Sequence, residues 1–173
     1  MRLALTALAS LAIAAPSAAR VVSSDAHGMI IEHSTNVAAP QMATWTMVGR
    51  IGQWWSKDHT YSGDAANLSL DPRPGGCFCE RFPGGGGIEH MRVTYVQPGE
   101  KLVMTGALGP LLYEAVAGVL EIEVKKAGAG SKLIVRYKAS GFAAGNAAEL
   151  APVVDKVLGQ QVQALARRAA GPR

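Results

Sequence analysis

The chain has 173 residues, of which 49% are hydrophobic and 17% are charged. This composition excludes an intrinsically disordered protein and a protein with many membrane spans. The formal net charge is only +4, and basic residues occur in pairs such as Lys125-Lys126 and Arg167-Arg168 rather than in a stripe. A nucleic-acid partner is therefore not expected. The length suits one domain, which is large enough to fold without a metal or a disulfide.

The first nineteen residues have the layout of a secretory signal peptide. Arg2 precedes an apolar run over residues 3–15, and Pro16 is followed by the small residues Ser17 and Ala19. This pattern predicts cleavage after Ala19. The alternative is an uncleaved membrane anchor, but a membrane span needs about 20 apolar residues. We therefore expect a secreted or periplasmic protein with no stable membrane insertion after cleavage.

The next elements are taken in chain order. Residues 20–27 are small and polar, and we expect a flexible leader there, followed by a single domain over residues 28–170. Alternating apolar side chains predict a strand over residues 28–38. Pro40 is well placed just before a short helix, which Gly49 can end.

A series of hairpins is predicted for the middle of the chain. A second helical turn over residues 51–55 and a loop over residues 56–66 come first. Turn residues then separate runs of alternating or β-branched side chains. These runs predict strands at residues 67–70, 77–82, 88–96, 101–105, 113–125 and 131–139.

The hydrophobic period changes in the last part of the chain. Over residues 147–169, apolar side chains recur in steps of three and four, which predicts a long amphipathic helix. The element order therefore indicates an α+β protein. In it, a curved antiparallel sheet wraps around the C-terminal helix, and two short helices follow the first strand. A twisted sheet around a helix tends to leave space for a ligand between them.

Several local sequences carry a resemblance to a known superfamily. They are Val37-Ala38-Ala39-Pro40, Ile51-Gly52-Gln53-Trp54-Trp55, Pro74-Gly75-Gly76, Val96-Gln97-Pro98-Gly99-Glu100-Lys101-Leu102 and the C-terminal helix. In this order they resemble the SRPBCC (START/Bet v 1-like) superfamily with its helix-grip fold, over about residues 28–168. The chain is most similar to the Hsp90-ATPase-activator-like and polyketide-cyclase-like bacterial branch. The resemblance implies a carrier of hydrophobic ligands, or a cyclase or dehydratase, and assigns no catalytic residue.

The only two cysteines of the chain, Cys77 and Cys79, are spaced C-x-C. In a regular strand their Cα atoms would be about 6.5–7 Å apart, at the outer limit for a disulfide. Three interpretations remain open from the sequence: buried reduced thiols, a disulfide, and a metal site. We favour reduced thiols that pack as small hydrophobic side chains. We predict no metal site, because no histidine lies at ligand spacing beside the pair, and we predict no cofactor.

An apolar pocket with a few polar groups is the default site for a small molecule. The ligand-binding candidates are aromatic or basic side chains, namely Trp54, Trp55, Tyr61, Arg92, Tyr113 and Tyr137. The catalytic candidates are His59, in a loop able to form a lid, and His90.

Alternation along the strand over residues 88–96 places His90 and Arg92 on one face. If that face points into the cavity, His90 is a candidate acid–base group and Arg92 is an anchor for an anion or a carbonyl. If it faces water, both are surface residues, and Glu80 and Glu89 on neighbouring strands are possible ionic partners.

Our leading hypothesis is an exported protein that holds a small hydrophobic or amphipathic molecule between the sheet and the C-terminal helix. We expect a monomer or a weak homodimer. One alternative is a polyketide cyclase/dehydratase-like lyase with a cavity histidine as the acid–base group. Another is a protein-interaction module related to Hsp90 activators.

Overall fold

The computed structural model describes residues 18–171, and side chains from residue 21 onward. The strands are β1 (Ala18–Ser24), β2 (Gly28–Val37), β3 (Leu68–Leu70), β4 (Cys77–Arg81), β5 (Gly87–Gln97), β6 (Lys101–Gly106), β7 (Ala117–Ala127) and β8 (Gly130–Ser140). The helices are α1 (Gln41–Gly49) and α2 (Ala147–Ala170), with 3-10 turns at Ile51–Gln53, Lys57–His59, Ala65–Asn67 and Gly109–Leu112.

The strands form one antiparallel sheet in the order β1-β2-β8-β7-β6-β5-β4-β3. Hairpins connect the neighbours from β3 to β8, and β2 returns to pair with β8 along ten residues. The long helix α2 packs against β2, β1 and β8. This arrangement confirms the predicted α+β helix-grip fold.

The N-terminal end differs from our expectation of a flexible leader over residues 20–27. Residues 18–24 form β1, which pairs with β2 from Ala18 opposite Ser34 to Ser24 opposite Met29. The physical reason is that β2 would otherwise present an open edge, whose N–H and C=O groups need partners. Five residues of a short polar stretch carry too little periodicity to reveal this pairing. The predicted signal peptide otherwise lies outside the described residues.

The core follows the alternation of the two longest hairpin strands. On β7 the buried side chains are Leu120, Ile122 and Val124, and on β8 they include Leu133 and Tyr137. Glutamates and lysines take the opposite face and pair across the strands, as Lys138 does with Glu121. Apolar and charged side chains thus occupy opposite faces of the sheet, and the helices cover the apolar face.

The contact between β2 and α2 is filled by side chains. His33 of β2 is fully buried, and its Nε2 lies 2.9 Å from a carboxylate oxygen of Asp155 and 3.1 Å from the Asp155 carbonyl oxygen. A Cβ atom at Gly159 would lie 2.8 Å from the His33 ring, so glycine is what lets α2 approach. At this contact, closely packed side chains take the place of the cavity expected between sheet and helix.

The helix α1 is held against the sheet by a buried polar link. The hydroxyl oxygens of Thr44 and Ser131 lie 2.8 Å apart, and Ser131 also donates to the Ala39 carbonyl at 2.9 Å. Thr44 and Val48 are buried, whereas Met42 is exposed. The link fixes α1 against the β8 side of the sheet.

No helix within residues 18–171 combines the length and the apolar character needed to cross a membrane.

Candidate functional site

A β-bulge between β4 and β5 decides which way His90 points. Phe78 pairs with Met91 and Cys79 pairs with Glu89, so His90 is an extra residue on β5. A bulge lets two successive side chains point toward the same side, and both His90 and Met91 are buried.

The prediction that His90 and Arg92 lie on the same face of β5 is therefore wrong. Arg92 lies on the outer face, exposed, where its guanidinium pairs with Glu89 and donates to the Gly75 carbonyl at 3.1 Å. The bulge is the physical reason, because the inserted residue shifts the inside-outside alternation by one position. Arg92 cannot anchor a ligand beside His90.

His90 forms a buried pair with Glu80. The imidazole Nε2 lies 3.0 Å from Oε2 of Glu80, and the two residues are 4% and 1% exposed. The Glu80 carboxylate also accepts hydrogen bonds from the backbone N–H groups of Tyr61, at 3.1 Å, and Ser62. Glu80 thus connects the histidine on the sheet to the segment over residues 56–67, which we call the covering segment.

The protonation states follow from burial and hydrogen bonding. Burial alone would raise the pKa of Glu80, but hydrogen bonds from Ser62, Tyr61 and His90 together bring that pKa below its ordinary value. Burial lowers the pKa of His90, and the hydrogen bond and charge of Glu80 only partly offset this effect. At neutral pH the pair is therefore a carboxylate and a neutral imidazole. Since a carboxylate can only accept, we assign the proton to Nε2, which leaves Nδ1 as the basic nitrogen.

Aromatic rings surround the pair. The Phe78 and Tyr61 ring centroids lie 4.7 Å and 5.9 Å from that of His90. Trp55 packs edge-on against Phe78 at 5.1 Å, and Trp54 lies 5.6 Å from Trp55. We call these five residues the aromatic cluster.

The covering segment is tied to α2 at two points. The Ser56 N–H donates to Oε1 of Gln161 at 2.8 Å, and the His59 ring lies 3.2 Å from Oε1 of Gln160. Gln161 is only 2% exposed, and its Nε2 has no hydrogen-bond partner within the described part of the chain. A buried donor without an acceptor is unfavourable by about 1–3 kcal/mol, so this amide is available to a polar group that reaches it.

The structure brings some of the predicted site residues together and separates others. Tyr61 is 42% exposed at the outer side of the cluster. Burial raises the pKa of Tyr61, and the nearby Tyr113 and Glu80 raise it further, which places the exposed Tyr113 close to Tyr61. His59 is partly exposed and faces α2 rather than His90.

Tyr137 lies in the core, away from solvent. Its hydroxyl oxygen accepts a hydrogen bond from the Leu108 N–H at 3.4 Å, and burial raises its pKa. A Cβ atom at Gly118 would lie 2.7 Å from that hydroxyl. Tyr137 therefore packs against the backbone of β7 and does not line a ligand site.

Cys77 and Cys79 form a disulfide, so the favoured interpretation of reduced thiols is wrong. Their Cα atoms are 5.4 Å apart, closer than in a regular strand, at the point where the pairing of β4 with β5 is irregular. Both sulfurs lie within 4.8 Å of a Glu89 carboxylate oxygen. Sulfurs joined to each other are not thiolates and cannot bind a metal as thiolates do.

Three surface pockets of about 690, 360 and 300 Å³ lie in the described part of the chain, and none of the three is lined by α2. The pocket of about 690 Å³ is a cleft formed by residues 23–25, 28–30, 105–106, 117–119 and 138–140. Its charged Lys138 is paired with Glu121, and the cleft contains neither His90 nor Tyr61. We place the candidate site at His90 because it combines a buried pair of titratable groups with perturbed pKa values and a surrounding cluster of aromatic rings.

The family model for activator of Hsp90 ATPase homolog 1-like protein matches residues 43–169. The chain belongs to this family. A search of the curated proteins found no match. The matched residues include most of α1, the aromatic cluster, the His90–Glu80 pair and nearly all of α2.

Solved structures show the same fold at low sequence identity. CalU16 from Micromonospora echinospora has a TM-score of 0.57 and 14% identity, with 84% of this chain and 78% of that chain covered. The Mll3558 protein from Rhizobium loti has a TM-score of 0.58 and 20% identity, with 80% and 95% covered. The di-domain ARO/CYC StfQ from the steffimycin biosynthetic pathway has a TM-score of 0.52 and 16% identity, with 82% and 50% covered. The family match confirms the predicted Hsp90-ATPase-activator-like relationship, and the solved structures confirm the predicted helix-grip fold.

Sequence reasoning missed three features of this family member's site. Phe78 and Gln161 were not predicted to contribute, and the bulge at His90 was not foreseen. Gln161 carries a usable signal, because it lies three residues after Leu158 and four before Leu165, on the buried face of α2. A polar side chain on the buried face of a helix needs a hydrogen-bond partner, and this requirement marks Gln161 as unusual.

Proposed function

We propose that this protein is exported and binds a small apolar or amphipathic molecule at the aromatic cluster, with His90 as its polar anchor. The observation that carries the proposal is the buried His90–Glu80 pair among the aromatic rings. A buried carboxylate, even with a hydrogen-bonding partner, contributes little to stability compared with well-packed apolar residues. A role in recognition accounts for a carboxylate and an imidazole at a place where an ordinary core has leucine or phenylalanine.

The groups at this place suit a ligand with both an apolar body and a polar atom. Burying its apolar surface against Trp55, Phe78 and Tyr61 would contribute about 25 cal/mol per Å². The basic Nδ1 of His90 would accept a hydrogen bond from a hydroxyl, and the unpaired Nε2 of Gln161 would donate to a carbonyl. His90 is only 4% exposed, so binding requires Tyr61 and its neighbours in the covering segment to move outward.

Binding is tested with an apolar fluorescent probe, 1-anilinonaphthalene-8-sulfonate, and a panel of hydroxylated aromatic compounds in a thermal-shift assay. Tyr61→Ala is compared with Tyr95→Ala, because the two tyrosines are 42% and 47% exposed and Tyr95 lies on the other side of β5. We expect Tyr61→Ala to weaken binding at least tenfold and Tyr95→Ala to leave it unchanged. Equal affinities in the two variants, or no thermal shift with any compound at saturating concentration, would contradict the proposal.

Export is the second part of the proposal and is supported by the pattern of residues 1–19. Native mass spectrometry of the protein purified from fractionated cells tests it. We expect the mass of a chain that begins at Arg20, recovered outside the cytoplasm, with a small molecule still bound. A full-length cytoplasmic chain would contradict export while leaving the binding site untested by that measurement alone, so the thermal-shift assay is run on the same sample.

Acid–base catalysis is a second candidate, favoured by one specific observation. A neutral imidazole bonded through Nε2 to a carboxylate has its other nitrogen free to take a proton from a substrate. The fold neighbour StfQ is described as an ARO/CYC protein, which makes cyclisation with loss of water the reaction class to test. We expect His90→Gln to abolish turnover of a polyketone test compound while binding persists. Turnover that is unchanged in His90→Gln would eliminate His90 as the acid–base group.

A further inference from the structure

The Cys77–Cys79 disulfide lies on the outer face of β4, opposite the His90 site. The residue between the two cysteines, Phe78, points into the core, and both cysteines are partly exposed. Across the sheet, Cys77 is registered with Arg92 and Cys79 with Glu89. The disulfide therefore shares its strand segment with the bulge that turns His90 inward.

We propose that Cys77 and Cys79 form a reversible thiol–disulfide exchange site, and that its reduction displaces His90 relative to Glu80. The exchange site goes beyond the proposed ligand-binding function and does not depend on it. The substrate class is a reducing thiol, either a small thiol or a protein dithiol.

The position of the disulfide suits exchange rather than structural cross-linking. It closes a loop with a single intervening residue, and short loops gain the least from the restriction of the unfolded chain. The fold therefore does not depend on the bond. The partly exposed sulfurs are within reach of an attacking thiolate. Arg92, which is registered with Cys77 and paired with Glu89, offsets the charge of the Glu89 carboxylate that lies within 4.8 Å of both sulfurs.

The exchange has two steps. A thiolate attacks one cysteine sulfur, the S–S bond breaks, and the other cysteine leaves as a thiolate, which gives a mixed disulfide. A second thiol displaces the first cysteine in the same way. The protein gains two electrons and two protons and becomes a dithiol, while two molecules of thiol become their disulfide.

The link to His90 comes from the geometry of β4. The disulfide holds the Cα atoms of residues 77 and 79 at 5.4 Å, whereas two residues of a regular strand span about 6.6 Å. The pairs Phe78–Met91 and Cys79–Glu89 flank the extra residue His90 directly. When the bond opens and β4 lengthens, the pairing at the bulge readjusts, and the 3.0 Å contact between His90 and Glu80 changes with it.

The test follows the histidine side chains by NMR in the folded full chain labelled at histidine, at fixed pH. The chain has four histidines, and three of them, His27, His33 and His59, serve as internal references. The protein is equilibrated with mixtures of reduced and oxidised dithiothreitol and a chelator, because Cys77, Cys79 and Glu89 would otherwise attract Zn²⁺ after reduction. We expect two free thiols per chain without loss of the fold, a shifted His90 imidazole signal, and recovery on reoxidation.

The double variant Cys77→Ser/Cys79→Ser is the matched control. Its His90 signal should coincide with that of the reduced protein and should not respond to dithiothreitol. If this variant fails to fold, the titration of the unmodified protein still decides the question. Thiols that appear only in denaturant would overturn the exchange site, and reduction with an unmoved His90 signal would overturn the coupling. Neither result involves a ligand, so failure here is distinguishable from failure of the proposed binding function.

Discussion

Two opposing effects act on the His90–Glu80 pair, and they set its behaviour with pH. Burial disfavours charge on both groups, whereas the hydrogen bonds to Glu80 favour its ionised form. The result is a single negative charge held inside the protein by three donors, one on His90 and two on the covering segment. Protonation of His90 or Glu80 should therefore weaken the hydrogen bonds that hold the covering segment against the sheet.

Acid should destabilise the protein in two stages. The pKa of His90 is lower in the folded protein than its ordinary 6.5, and that of Glu80 is lower than its ordinary 4.5. For each group the unfolded chain takes up the proton first as the pH falls, so the free energy of unfolding decreases. We expect a decrease below about pH 6.5 from His90 and a further one below about pH 4.5 from Glu80, measured by urea unfolding across this range.

His90→Gln is the control for that pH series, since a glutamine can still donate to Glu80 but does not titrate. This variant should lose the upper part of the decrease and keep the lower part. An upper part that is identical in the variant would assign it to another group.

Glu80 should contribute far more to the free energy of unfolding than Glu89, which lies on the neighbouring strand. Glu80→Gln removes the charge that accepts hydrogen bonds from Tyr61, Ser62 and His90, and we expect a loss of about 1–3 kcal/mol in unfolding free energy. Glu89→Gln breaks only an exposed pair with Arg92, worth about 0–1 kcal/mol. Hydrogen exchange provides the second measurement, because the amides of Tyr61 and Ser62 should exchange faster in Glu80→Gln alone. Unchanged exchange at these amides would show that Glu80 does not hold the covering segment.

At the scale of elements, the contact of α2 with β2 depends on the missing side chain at Gly159. Alanine normally stabilises a helix by about 1 kcal/mol relative to glycine. Here the added Cβ would lie 2.8 Å from the His33 ring, which is held between β2 and Asp155. Overpacking of this kind costs about 1–3 kcal/mol. The substitution of Gly159 by alanine should therefore destabilise the protein instead of stabilising it.

We therefore expect Gly159→Ala to lower the unfolding free energy and Gly49→Ala to raise it or leave it unchanged. Gly49 ends α1, and a Cβ atom there meets nothing within 4 Å. Thermal and urea unfolding of the two variants give the comparison. A stabilised Gly159→Ala variant would mean that the helix can move away from His33 without penalty.

At the same scale, periodicity predicted most elements but not the irregular ones. The strands from β2 to β8 and both helices were predicted because each repeats its burial pattern over several residues. Alternation failed at His90 because a bulge inserts one residue and leaves no mark in the pattern. It also placed the start of β7 at residue 113 rather than at Ala117, because residues 113–115 form a turn that follows the 3-10 turn over Gly109–Leu112.

For the whole molecule, the fold was predictable and the site was only partly so. The family resemblance and the long amphipathic helix sufficed for the architecture. The site depends on contacts between residues far apart in the chain, such as Ser56 with Gln161, and a single sequence carries no record of such contacts. The disulfide belongs to the same class, because its formation depends on a local shortening of β4 and not on the spacing of the cysteines alone.

The register of β1 bears on processing of the whole chain. The predicted cleavage point separates Ala19 from Arg20, and these residues of the edge strand β1 are paired with His33 and Glu32 of β2. Proteases cut exposed segments and not paired strands. We expect a leader peptidase to cut the urea-unfolded precursor at this bond and to spare the folded precursor, with the products identified by mass spectrometry. Rapid cutting of the folded precursor would show that β1 leaves the sheet readily.

If the chain is exported and cleaved as we propose, this register imposes an order on its biogenesis. A precursor that completed its sheet too early would hide the bond that maturation needs, and its apolar leader would stay attached to a finished domain. Removal of the leader would have to come first, and the strand that begins at Arg20 would then pair with β2.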